Sequence, residues 1–85
     1  MNDEMLILIA YCKMSSYRVR VIKAINDEVL IPKEIAKISG LRPNHTSKVF
    51  KELKTHGVLE CINEEARKGR LYRLTDTGKT VLANL

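Results

Sequence analysis

Asn44, Ser47, Lys48 and Lys51 follow one another at intervals of three, one and three residues, which lines them up along one side of a helix. Their chemistry suits a duplex. An asparagine amide pairs bidentately with adenine, a serine hydroxyl donates or accepts, and lysines neutralise phosphate. His45 stands at the border of that face, within reach of a base or a phosphate. Further along, Ala66-Arg67-Lys68-Gly69-Arg70 collects three bases around a glycine. An arginine-rich hairpin tip fits either the narrow, electronegative minor groove or the phosphates beside it. Lys33, Lys37 and Arg42 are further candidates for backbone contact. The plain alternative for each set is a solvated surface. Against it, Glu52 is the only acid on the helix, and no acid lies between Ala66 and Arg73.

These groups need a helix pair and a hairpin to hold them. Pro32 suits the first turn of a helix, where its missing N–H costs nothing. Ile35, Ala36 and Ile38 are expected to face inward from it, and Gly40 supplies a left-handed stop. Leu41 anchors the turn, and Arg42-Pro43 opens the second helix. Its inner side carries Thr46, Val49, Phe50 and Leu53, its outer side adds Thr55, and Gly57 ends it. From Val58 to Asn63 and from Leu71 to Leu74 the period shortens towards two, with Leu59 and Cys61 opposite Tyr72 and Leu74.

The flanking segments complete the pattern. Ser15 and Ser16 introduce a helix over Tyr17–Ile25 whose Val21, Ile22 and Ile25 share a face, and Asn26-Asp27-Glu28 ends it. Val29-Leu30-Ile31 reads as a minor strand, and Thr75 caps a last helix from Asp76 to about Ala83, with Val81 and Leu82 closing the core. At the N-terminus, Asn2 caps a helix with Asp3 and Glu4 in its first turn. Met5 to Cys12 is apolar on every side, more than a helix covering a core with one stripe needs. Either the segment is buried or its outer face meets a second subunit. The second idea is favoured, with Met5, Leu6, Leu8, Ile9 and Cys12 as dimerisation residues. A buried strand is the competing assignment. The expected fold class is mainly α with a small β-sheet (α+β). It is a winged helix-turn-helix: a three-helix core, a β-hairpin wing, and extra helices at both ends.

With 85 residues, the chain has room for one domain: residues 1–14 form the N-terminal helix and residues 15–82 the winged-helix core. Hydrophobic content of 45% and a charged fraction of 29% describe an ordered globule. The net charge is +5, yet Lys13, Arg18, Arg20 and Lys23 are balanced by Asp3, Glu4, Asp27 and Glu28. The whole excess therefore lies downstream, which favours a polyanionic partner. No residue set suggests an enzyme. Cys12 and Cys61 form no metal-binding pair and read as small reduced hydrophobes; His45 and His56 lack a third ligand. Neither metal nor cofactor is expected. The apolar run is too short to cross a bilayer, and acids occupy the place of a signal peptide's basic start, so a cytoplasmic location is expected.

Ser15-Ser16-Tyr17-Arg18, then Pro32 through Leu41, resembles the winged-helix regulators of the MarR and ArsR types. The likeness continues through Ser47-Lys48-Val49-Phe50-Lys51-Glu52-Leu53 with Gly57-Val58-Leu59. It ends in Gly69-Arg70-Leu71-Tyr72-Arg73-Leu74-Thr75-Asp76-Thr77-Gly78. The resemblance implies a homodimer on a near-palindromic operator, usually a repressor. The cysteine pair through which the arsenic-repressor type senses metal has no counterpart. The expectation is a sequence-specific, double-stranded-DNA-binding transcriptional regulator. The alternatives are a winged-helix protein-interaction module and a non-specific architectural DNA-binding protein.

Overall fold

The computed structural model describes residues 2–85. Its order is α1 (Asp3–Lys13), α2 (Ser16–Ile25), α3 (Pro32–Ser39), α4 (Pro43–Thr55), β1 (Leu59–Cys61), β2 (Tyr72–Leu74) and α5 (Asp76–Ala83). The fold is mainly α with a two-stranded antiparallel sheet, in winged-helix order. Leu59 faces Leu74, Glu60 faces Arg73 and Cys61 faces Tyr72, so the two residues expected on each strand do lie opposite one another.

Local chemistry sets the boundaries. The Asn2 side chain accepts the Met5 N–H at 2.8 Å, so the apolar run is a helix and not a strand. Ser15 caps α2 through the Arg18 N–H, and Thr75 caps α5 through the Gly78 N–H. Helix α4 ends in a Schellman turn: the Val58 N–H reaches the Leu53 carbonyl at 2.9 Å and the Gly57 N–H reaches that of Lys54 at 3.1 Å. Gly57, at φ 71°, makes that reversal possible. The Thr75 hydroxyl then donates to the Gly57 carbonyl at 2.5 Å, which ties the start of α5 to the end of α4. Gly78 sits where a side chain would collide with the Val58 carbonyl, so α5 can approach the sheet only with glycine there.

One core joins every element. Val21, Ile22 and Ile25 of α2, Ile35 of α3, Leu53 of α4, Val58, Leu74 and Val81 are completely buried, and Cys12 closes the end under α1. Burial pushes the Cys12 thiol up, against the opposing pull of the Arg18 charge, which marks it as an inert neutral packing group.

Three sequence expectations are corrected. Ile38 is 60% exposed, because the buried face of α3 runs through Ile35, Ala36 and Ser39 and turns Ile38 away from it. The Ser39 hydroxyl makes that position tolerable by donating to the Ala36 carbonyl at 3.2 Å. Val29-Leu30-Ile31 forms no strand; Leu30 alone bridges Tyr72, through bonds of 3.0 and 2.8 Å. The hairpin strands are also shorter than expected, because backbone pairing ends near Cys61 and a side chain takes over the loop.

Candidate nucleic-acid interface

Helix α4 buries Thr46, Val49, Phe50 and Leu53, which fixes its rotation about its own axis. Asn44, Ser47, Lys48 and Lys51 are consequently exposed, as is Arg42 just before the helix, and His45 is half-buried. The His45 ring lies 5.1 Å from that of Tyr17, so α2 flanks the start of α4. No side chain caps the N-terminus of α4, and its first turn holds no acid. Backbone N–H groups there point outward, an arrangement that welcomes an anion.

The one acid of α4 is held by an arginine of α2. Arg18 of α2 grips Glu52 through Nε at 3.4 Å and a terminal nitrogen at 3.2 Å, with its other terminal nitrogen on the Tyr11 carbonyl at 2.8 Å. The guanidinium lies 3.8 Å over the Tyr11 ring, and His56 stacks on that ring at 4.0 Å. The His56 Nδ1 lies 2.9 Å from the Glu52 carbonyl, which closes the circle. The Glu52 carboxylate is thus paired within the fold, with Arg18 as its counter-charge. No local pattern announces this pair, since its partners are far apart in the chain.

Lys54 differs from the other lysines because it pairs with Glu64 at 3.2 Å, across to the root of the wing. Between α4, the start of α3 and β2 lies a groove lined by Pro32, Ser47, Phe50, Lys51, Lys54, Thr55 and Tyr72. Phe50 and Tyr72 meet at 4.9 Å in it. Lys33 and Lys37 on α3 are exposed, as are Arg67, Lys68 and Arg70 on the wing. The Arg70 Nε donates to the Ala66 carbonyl at 2.8 Å, so this side chain folds across its own loop.

The expected dimerisation residues divide. Ile9 and Cys12, at 7% and 0% exposure, belong to this chain's own core and are withdrawn from any partner in this conformation. Met5 and Leu8 are half-buried against that core. Leu6 is exposed, and so are Ile7 and Met14, which are not among the expected dimerisation residues although Ile7 lies within the same apolar run. Among the described residues, no group of three His, Cys, Asp or Glu side chains could hold a metal, and no helix is long and apolar enough to cross a membrane.

No protein-family model and no curated protein sequence matches the chain. Its fold does match solved structures. A MarR family transcriptional regulator from Silicibacter pomeroyi superposes with a TM-score of 0.75 over 91% of this chain and 51% of that one, at 23% identity. A second MarR family regulator from the same organism gives 0.72 over 94% of this chain and 57% of that one, at 15% identity. The chain therefore spans about half the length of the structures it matches, and shares the winged-helix fold with them.

Proposed function

We propose that this chain is a DNA-binding transcriptional regulator that reads double-stranded DNA sequence-specifically with α4 in the major groove. The carrying observation is the outer face of α4: Asn44, Ser47, Lys48 and Lys51 are exposed together while the helix's only acid is held by Arg18. Asn44 and Ser47 supply hydrogen bonds for base edges, with His45 beside them. Lys48 and Lys51 with Arg42, and Lys33 and Lys37 on α3, supply charge for the phosphates. Arg67, Lys68 and Arg70 carry the wing onto the minor groove or its backbone. The fold shared with two named transcriptional regulators supports this reading.

Two copies act together in this proposal, joined through the exposed side of α1 at Leu6 and Ile7, in one domain per chain. Two such units contact half-sites about one helical turn, roughly 34 Å, apart, and binding there excludes other proteins, as a repressor does. A protein-interaction module would instead show its apolar patch on α4. Among the described residues, every large exposed hydrophobic side chain lies elsewhere, on α1, α2, α3 and the loops.

Selection of bound sequences from random duplexes is expected to recover a two-part motif, and charge reversal by Lys48→Glu with Arg70→Glu to abolish retention without unfolding the chain. Neutralising six to ten phosphates would lower affinity about 10³–10⁵-fold between 50 and 200 mM salt. Retention unaffected by salt and by both reversals would defeat the proposal.

A further inference from the structure

Backbone pairing in the hairpin stops at the bond from the Ile62 N–H to the Leu71 carbonyl, 2.9 Å long. Beyond it lie residues 64–70, which hold all three basic side chains of the tip and none of the buried core. A loop of this kind has nothing apolar to fix its shape, and residues with few buried contacts open easily. Yet its two ends are joined by one side chain.

We propose that Asn63 is a positioning residue for DNA binding: it holds the wing in a preformed shape so that Arg67 and Arg70 meet the duplex without first being ordered. The inference rests on the DNA-binding reading above. The Asn63 Oδ1 accepts the Leu71 N–H at 2.7 Å and faces the Cys61 thiol at 3.5 Å, while its Nδ2 donates to the Gly69 carbonyl at 3.2 Å. Its own carbonyl accepts the Ala66 N–H at 2.9 Å, and the Ala66 carbonyl accepts the Arg70 Nε. One residue therefore touches the end of β1, the residue leading into β2, the turn and, through Ala66, an arginine of the tip. An asparagine is suited to this because its amide accepts from one strand and donates to the loop at once. Gly69, at φ 67°, lets the chain bend so that its carbonyl faces the amide.

A tip that must be ordered on binding loses affinity for the same contacts, since association then bears the entropy of fixing the loop. Asn63→Ala is expected to weaken duplex binding about tenfold, with the thermal midpoint lowered by roughly 4–8 °C or less, as the loss of about one hydrogen bond allows. The decisive readout is a cycle with the arginines. If Asn63 acts through them, Asn63→Ala added to Arg67→Ala/Arg70→Ala weakens binding by less than about twofold further. Faster amide exchange at Leu71 in Asn63→Ala would accompany this. A full additional tenfold loss in the arginine-less background would overturn the positioning role while leaving DNA binding intact. So would wild-type affinity in Asn63→Ala, or in the double arginine variant. A wild-type chain that binds no duplex at all would overturn both proposals together.

Discussion

Helix α4 turns Thr46, Val49, Phe50 and Leu53 into the core, whereas no side chain between Ile62 and Leu71 is buried. Both regions present several positive charges, but they are held by different physics. Rotation of α4 is fixed by close-packed apolar contacts, which resist change because displacing one of them opens a cavity. The wing is fixed by hydrogen bonds exchanged with water at small net gain, so its geometry is cheap to make and cheap to lose. The difference separates two tasks. A surface that reads base edges needs a rigid frame, while one that follows phosphates tolerates a softer one.

Truncating the support of α4 should have the largest effect. Leu53 is completely buried, so Leu53→Ala is expected to cost about 2–5 kcal/mol of folding stability, read from denaturant midpoints at unchanged slope. Arg67→Ala, on the wing, is expected to stay within about 0.5 kcal/mol of the parent. Similar losses from the two would show that the wing is packed as firmly as the helix, and the contrast would fall.

The same contrast explains what could be read from residues alone. Periodicity marked the two sides of α4 correctly because each buried side chain recurs at helical spacing, and Gly57, Thr75 and Pro32 marked the ends through backbone requirements of their own. Ile38 was misplaced because three apolar or small residues at similar spacing leave two possible faces, and only the packing of Ser39 against α2's side of the core decides between them. There the Arg20 Nε reaches the Ser39 carbonyl at 2.9 Å. Met5 to Cys12 is a different case. A run apolar on all sides names no face, so Ile9 and Cys12 could not be separated from Leu6 and Ile7. The Arg18–Glu52 pair and the Asn63 contacts were illegible because they join residues or backbone groups with no periodic signature.

Arg18 allows a sharper test on the helix side. Its guanidinium binds Glu52, the Tyr11 carbonyl and the Tyr11 ring, all in a half-buried setting. Arg18→Ala leaves the Glu52 carboxylate without its partner and is expected to cost about 2–3 kcal/mol, less than for a fully buried pair because both groups retain some solvent. It should also weaken duplex binding, as an uncompensated negative charge returns to α4. Arg18→Ala combined with Glu52→Gln should recover part of both losses. If the double variant is no better than Arg18→Ala in either measurement, the guanidinium acts mainly by packing on Tyr11.

The smallest effects discriminate between the two surfaces most directly, because they concern the kind of contact and not its strength. Asn44 offers a bidentate pair to a base but no charge, so Asn44→Ala should relax preference at one position of the selected motif by about 1–3 kcal/mol and leave the salt dependence unchanged. Arg67 offers charge on a loop with no packed support, so Arg67→Ala should weaken all duplexes alike and lower the salt slope by about one, with the motif intact. The two variants thus move different observables, and parallel titrations against matched and mismatched duplexes at several salt concentrations measure both. An Asn44→Ala that flattens the salt slope, or an Arg67→Ala that changes the motif, would mean that charge and base readout are not divided between helix and wing. The rigid support beneath α4 would then need a reason other than sequence reading.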